Sequence, residues 1–364
     1  MSVRPLKEND LPQVVDLYWH YMRRQQGSAP ASLHTTFQKL YFTNPWSAGE
    51  THSVVYESTN GKIVGFLGII PRKMSVCGET IRVAFGGNFV VHPEARSQLA
   101  ASRLLGAYMS GNYDLWQTDS ANDISRRLLE RLGFRTIPAL SIHWARPLRT
   151  AHYAVYTVSK SLSPALSTGL KIVAKPFSAV ADRVAGRLSS NPFRQKKPRL
   201  RGSEADLETL LQCFAAFRQG YSLWPEYDPA SLRWLLSFMD PSPSRGQLRK
   251  IVLRDDEDKI VGWYIYYVKP GSVGEVVQVG GGKRMIKDIL EHLFYDAWRN
   301  GLIALHGVVP NRMMADFSDK GCLFTCRGGW NVARARKPEL MDLLERGDAF
   351  LSRLDGEWCL NPGD

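Results

Sequence analysis

The chain has 364 residues, is 44% hydrophobic and 23% charged, and carries a formal net charge of +12. This is room for two domains with cores of their own; no apolar run approaches the ~20 residues that span a membrane, and the opening MSVRPLKENDL lacks the apolar centre of a secretory signal. Five scattered cysteines (Cys77, Cys213, Cys322, Cys326 and Cys359) argue against a disulfide framework and lack the partner spacing of a zinc site, so a cytoplasmic protein without a metal is expected.

In chain order, the pattern predicts a strand at Val3–Leu6 and helices over Asp10–Met22 and Leu33–Phe42. Two strands, HSVVYES and KIVGFLGII, flank Asn60-Gly61, a dipeptide that favours a tight hairpin. A long strand, TIRVAFGGNFVV, leads through VHPEARSQLAASRLL into a helix over Ser97–Tyr108. A strand at Tyr113–Thr118 and a helix at Ser125–Leu132 follow, capped by Asn122 and stopped by Gly133. The strands TIPAL and SIHWARP close this first domain at residue 148.

Between residues 149 and 202 the composition changes. From Arg146 to Arg201 there are twelve Lys or Arg and a single acid, Asp182. Val155, Val158, Leu162, Leu166, Leu170, Val173, Phe177, Val180, Val184 and Leu188 recur every three or four residues, an amphipathic helical stripe that Pro164 and Pro176 should interrupt. Three uses are open: packing on a domain or a second subunit, lying on an anionic membrane surface, or binding nucleic acid. The last is the weakest, because Phe177 and Phe193 are thin provision for base stacking.

The remainder, 203–364, repeats landmarks of the first domain. DKIVGWYIYY at Asp258 matches GKIVGFLGII at Gly61; RWLLSFMDPS with Pro241 matches FQKLYFTNPW with Pro45; and Asn311 to Gly321 parallels Asn122 to Gly133. Landmarks in one order at similar spacing indicate a tandem repeat of an α+β domain.

Val91, Pro93, Arg96, Ala101, Leu104 and Leu105, placed between a long strand and a helix, together with RLLERLGF further on, resemble the GNAT superfamily of acyl-CoA-dependent N-acyltransferases. The resemblance covers residues 1–148 well and 203–364 weakly. It implies two tandem GNAT-like domains, each a mixed, mostly antiparallel sheet flanked by helices, joined by the basic helical segment. It also implies a pyrophosphate site for acetyl-CoA or another acyl-CoA at Arg96, Ser97, Gln98, Leu99, Ala100 and Ala101, with Asn122 nearby. Amide groups entering a helix, with its dipole, suit such an anion. Leu99 stands where the family pattern has glycine. Gly280, Gly281 and Gly282, followed by Lys283 and Arg284, offer an alternative anion site in the second half.

Acyl transfer needs a deprotonated amine, an oxyanion donor and a proton for the leaving thiolate. By resemblance, backbone N–H groups at Phe89, Val90 and Val91 serve the oxyanion. The family's glutamate on that strand is missing, for Gly86, Gly87 and Asn88 stand there, and its thiolate-protonating tyrosine is replaced by Leu129. Asn88, His92 and Asp119 are the remaining catalytic candidates. The expected activity is transfer of an acetyl group to a primary amine of a small molecule, an amino sugar, or a lipid- or glycan-linked acceptor. Aminoacyl-tRNA-dependent transfer in the manner of the FemABX enzymes and a non-catalytic acyl-CoA-binding role are the alternatives.

Overall fold

The architecture is that of a computed structural model describing residues 2–47, 52–187, 193–240, 242, 244–326 and 329–360. The chain first forms β1 (Ser2–Pro5), α1 (Leu11–Leu17) with a π-helical turn to Met22, α2 (Ala31–Phe42), β2 (Val54–Glu57), β3 (Ile63–Val76) and β4 (Glu79–Val91). Then come α3 (Ala100–Met109), β5 (Leu115–Ala121), α4 (Asp123–Arg131), β6 (Arg135–Thr136) and β7 (His143–Pro147). The middle holds α5 (Thr150–Ser159), α6 (Pro164–Arg187), β8 (Arg201–Glu204), α7 (Leu207–Phe217), β9 (Leu223–Pro225) and α8 (Pro229–Met239). The last part runs β10 (Gln247–Arg254), β11 (Ile260–Val268), β12 (Val273–Gly281), α9 (Ile286–Arg299), β13 (Ala304–Val308), α10 (Met314–Asp319), β14 (Leu323–Thr325), β15 (Trp330–Ala335) and α11 (Pro338–Glu345).

Two sheets form, each in its own compact unit. The first unit comprises 1–141, 220–239 and 328–364; the second comprises 142–219 and 240–327. The first sheet is ordered β1-β2-β3-β4-β5-β15-β6, with β9 on β3, and the second β14-β7-β13-β12-β11-β10-β8. The repeated KIVG lies in corresponding strands, Ile63 opening β3 and Ile260 opening β11. Each pairs antiparallel with the next strand, and that strand pairs parallel with the one beyond its helix: β3-β4-β5 in one sheet, β11-β12-β13 in the other.

The expected boundaries at 148 and 203 do not follow these units. β7 leaves the first domain and lies between β13 and β14, whereas β15 lies between β5 and β6. Each sheet thus receives this strand from the other half of the sequence. Alternating apolar residues identify a strand and its buried face but not the sheet whose edge it covers. TIPAL is mostly a 3-10 turn over Pro138–Ser141, since proline cannot donate to a ladder. Residues 149–202 are not a separate connector: α5 and α6 belong to the second unit. Pro164 opens α6, but Pro176 lies inside it without ending it. Pro241 and Leu188 lie outside the described residues, as do the side chains of Arg96, Ser97, Gln98 and Asn311.

The first core gathers Leu67 and Ile69 of β3, Leu104, Leu105 and Tyr108 of α3, and Trp116 of β5. Trp116, Tyr41 and Trp46 are buried as well. The second core closes around Trp144, Tyr264, Tyr266, Leu293 and Phe317.

Candidate active site

The site begins where two parallel strands of the first sheet separate. β4 and β5 pair only at Val83–Phe85 with Leu115–Gln117. Tyr108 of α3 stands at the fork, its hydroxyl 2.8 Å from Ala84 O and 3.1 Å from Gln117 O. Gly86 leaves space for that ring: a Cβ there would lie 3.0 Å from Tyr108 Cζ. Burial raises the Tyr108 pKa well above that of an ordinary phenol, so it acts as a fixed donor.

On its other edge β4 bulges against β3, with Asn88 in the left-handed conformation at φ 51°. Asparagine tolerates that region better than most residues. Its Nδ2 donates to Tyr41 Oη at 2.8 Å. Beyond the bulge, His92 N donates to Val64 O at 2.8 Å. Alternation in an antiparallel ladder then turns the Val91 N–H away from β3, toward the fork. An oxyanion donor needs an N–H that the ladder does not use.

A carboxylate occupies the space above Gly87, and it comes from neither β4 nor β5. Glu357 Oε1 accepts from Thr118 Oγ1 at 2.6 Å and from Ser120 Oγ at 2.5 Å. Its other oxygen, Oε2, is buried without a hydrogen-bond partner. A Cβ on Gly87 would overlap that oxygen. A cavity of about 20 Å³ adjoins it, lined by residues that include Met22, Leu40, Ile70, Asn88 and Leu360, which is space for about one water molecule. Burial, and then the negative charge of Asp119, push the Glu357 carboxyl up to about 8, against the hydrogen bonds from Ser120 and Thr118. Burial likewise raises Asp119, opposed by the charge of Arg353 and by the backbone N–H groups of Trp358 and Glu357. Two carboxyl groups in one dry space share a proton more readily than they bear two charges.

The expected catalytic residues therefore meet different fates. Asn88 lines the cavity, and Asp119 interacts electrostatically with Glu357. His92 is instead the cap of the 3-10 turn over Pro93–Gln98: Nδ1 accepts from Glu94 N at 3.3 Å, and Nε2 pairs with Tyr21 Oη at 2.7 Å. It does not line the cavity. Asn122 caps α4 through Ser125 N at 2.9 Å. Glu357 itself is absent from the expected set, lying in DGEWCL near the C-terminal end of the sequence with no motif around it.

The expected pyrophosphate loop is a 3-10 turn over Pro93–Gln98 that leads into α3. After the 3-10 turn, Leu99 adopts φ 57°, and α3 starts at Ala100 rather than Ser97. The first amides of α3 lack partners within the helix, as at any helix start. A left-handed turn favours glycine, because an L side chain there costs roughly 1–2 kcal/mol. Leu99→Gly should therefore raise stability by up to about 1 kcal/mol in urea unfolding, part of the relief being offset by glycine's freedom in the unfolded chain. It should also lower the apparent Kd for an acyl-CoA, measured by calorimetry.

In the second unit the glycines serve packing. Gly280 and Gly281 lie within β12, paired with Trp263 and Gly262. Side chains there would run into the Trp263 ring and into Ile289. Gly282 N donates to Val261 O at 3.0 Å, ahead of a 3-10 turn over Lys283–Met285. The alternative anion site at Gly280, Gly281, Gly282, Lys283 and Arg284 thus consists largely of strand and close contact, not of an open loop. Among the described residues no group of three or more His, Cys, Asp or Glu could hold a metal ion.

Comparison with known proteins bears on the fold. Residues 2–113 match the family model described as an acetyltransferase (GNAT) domain. No curated protein matches the chain. Among solved structures, a probable N-acyltransferase of Enterococcus faecalis is similar at TM-score 0.60 and 11% identity, over 95% of this chain and 73% of that one. A GCN5-related N-acetyltransferase of Anabaena variabilis gives 0.59 and 12%, over 93% and 73%. The Saccharomyces cerevisiae N-myristoyltransferase, solved with myristoyl-CoA and inhibitors, gives 0.51 and 12%, over 91% and 79%. At such identities the likeness is one of fold.

Proposed function

We propose that this chain is a GNAT-superfamily N-acyltransferase, a reading supported by the match over residues 2–113, and that it moves an acyl group, acetyl in the first instance, from coenzyme A to a primary amine, with Glu357 as the general base. The observation that carries the reading is the buried, half-satisfied Glu357 carboxylate in the gap between β4 and β5. It restores from the C-terminal segment the acid–base group that Gly86, Gly87 and Asn88 cannot supply.

The diphosphate of the donor would lie on the amides that open α3, placing its thioester beside Val91. The acceptor enters as the neutral amine; its nitrogen bonds to the thioester carbon while Glu357 takes one of its protons, directly or through one water in the adjoining cavity, and the developing oxyanion is held by the Val91 N–H. Collapse breaks the C–S bond, and the thiolate leaves and takes a proton from solvent, since Leu129 has none to give. A general base whose pKa lies near 8 is matched to proton transfer at mildly alkaline pH.

The test is thiol release from acyl-CoAs of two to fourteen carbons with a panel of small-molecule, amino-sugar and lipid-linked amines. Release that requires both amine and enzyme is expected, fastest with acetyl-CoA. If no amine raises release above the enzyme-free rate at pH 8–9 with any donor, the proposal is wrong. An optimum at long chains would replace the acetyl assignment and leave the amine transfer standing.

A further inference from the structure

The α5–α6 hairpin has its apolar face on the outside. On α6 the side turned inward carries small or polar residues: Ser178 is buried, and Asp182 accepts from Ala151 N at 2.7 Å and pairs with His152 Nδ1 at 2.6 Å. The single acid of the basic segment is thus committed to the start of α5. Leu166, Ile172, Val173, Phe177, Val180 and Val184 are each more than half exposed, Phe177 reaching 73%. Five of these six recur at helical spacing on one face; Ile172 lies to one side. The expected stripe therefore exists, but it does not cover the unit's own core.

A soluble monomer rarely leaves so much contiguous apolar surface bare. What covers it should match its chemistry, and the surroundings are cationic, with Lys160, Lys175 and Arg183 on the same hairpin. Beside it an open cavity of about 540 Å³ is walled in part by Arg149, Arg183, Arg194, Phe193 and Trp298. Guanidinium groups next to aromatic surface suit a phosphate joined to an apolar tail. No helix among the described residues is long and apolar enough to cross a membrane, so the face would lie on the lipid surface.

We infer that α6 is an interfacial helix that docks this protein on anionic phospholipid, with Leu166, Val173, Phe177, Val180 and Val184 entering the acyl boundary and the flanking cations meeting phosphate. Docking is independent of the acyl-transfer reading, because it is measured without substrates. If the transfer also holds, lipid-delivered amines become the favoured acceptors.

The experiment is sedimentation of the full chain with vesicles of equal phosphatidylglycerol and phosphatidylcholine, against phosphatidylcholine alone. Binding to the anionic vesicles should be at least tenfold tighter and should weaken as salt is raised. Val173→Asp with Phe177→Asp should reduce it tenfold or more without lowering Tm, since both side chains are exposed. As a second measurement, the emission spectrum of Phe177→Trp, after subtraction of the parent protein's, should shift to the blue and be quenched by brominated acyl chains only with anionic vesicles. Equal partition of parent and double variant, or a difference spectrum that brominated chains leave unquenched, would overturn the inference. So would a dimer, seen by analytical ultracentrifugation, that the double variant abolishes and vesicles do not dissociate: the cover would then be a second copy of this chain.

Discussion

Replacing Glu357 by glutamine should cut kcat for acyl transfer by about 10²–10³-fold, the usual worth of a positioned general base, while making the folded protein more stable at alkaline pH. Glutamine is isosteric, and its amide oxygen can accept from Thr118 and Ser120 as Oε1 does now. The sign of the stability effect follows from the raised pKa. The native state holds the Glu357 proton up to about 8, whereas an unfolded glutamate releases it near ~4.3. The stability tied to that proton is complete below the unfolded value and is lost as pH rises through the native one. Glutamine escapes the loss, so its advantage should grow from about pH 4 and level off above about 8, reaching a few kcal/mol at roughly 1.4 kcal/mol per unit. In parallel, kcat/KM of the parent should rise with pH toward a plateau above about 8, and the variant should lose that limb. Asp119→Asn removes a charge that holds the Glu357 proton on and should move the limb to lower pH. If the glutamine variant keeps the parent rate and pH profile, Glu357 is not the base. Gain of stability with loss of rate marks a group strained for chemistry; a structural residue would lose both.

Much of the fold was legible because its signals are local. The Asn60-Gly61 turn, the Asn122 cap and the two KIVG strands each depend on a few neighbouring residues, and each lies where periodicity and turn chemistry place it. The helix after Pro93 was legible in kind but not in its start, because Leu99 takes a glycine's conformation. Which sheet HWARP would join was not legible: it reads as a strand, and either sheet satisfies the same alternation. The apolar stripe of α6 was legible as periodicity, whereas its outward orientation depends on Asp182 being used by α5. Glu357 was the hardest. Thr118 and Glu357 are 239 positions apart, and no spacing rule connects them. The available signal lay on the other partner: two adjacent glycines in a central strand imply that something approaches closely on both faces. Those neighbours are Tyr108 over Gly86 and Glu357 over Gly87.

That pair of glycines provides the second large effect. Gly87→Ala should lower kcat about as far as Glu357→Gln does, although it removes no functional group. Gly87 is not among the residues with positive φ, so alanine brings no backbone strain. Its Cβ would occupy the place of Glu357 Oε2, with the rest of the Glu357 side chain close behind. The carboxylate must then withdraw from the fork, giving up Thr118 and Ser120 as it goes. Once the base has been displaced, neutralising it should matter little, so Gly87→Ala with Glu357→Gln should be no slower than either single variant, a clear departure from additivity. Gly86→Ala is the control on the same strand: its Cβ meets the Tyr108 ring at 3.0–3.3 Å, a crowding that lowers Tm and leaves the alkaline limb of the rate profile in place. Additive losses in the Gly87/Glu357 pair, or equal losses of rate for the two alanine variants, would mean that the gap between β4 and β5 is merely packed and that the base lies elsewhere.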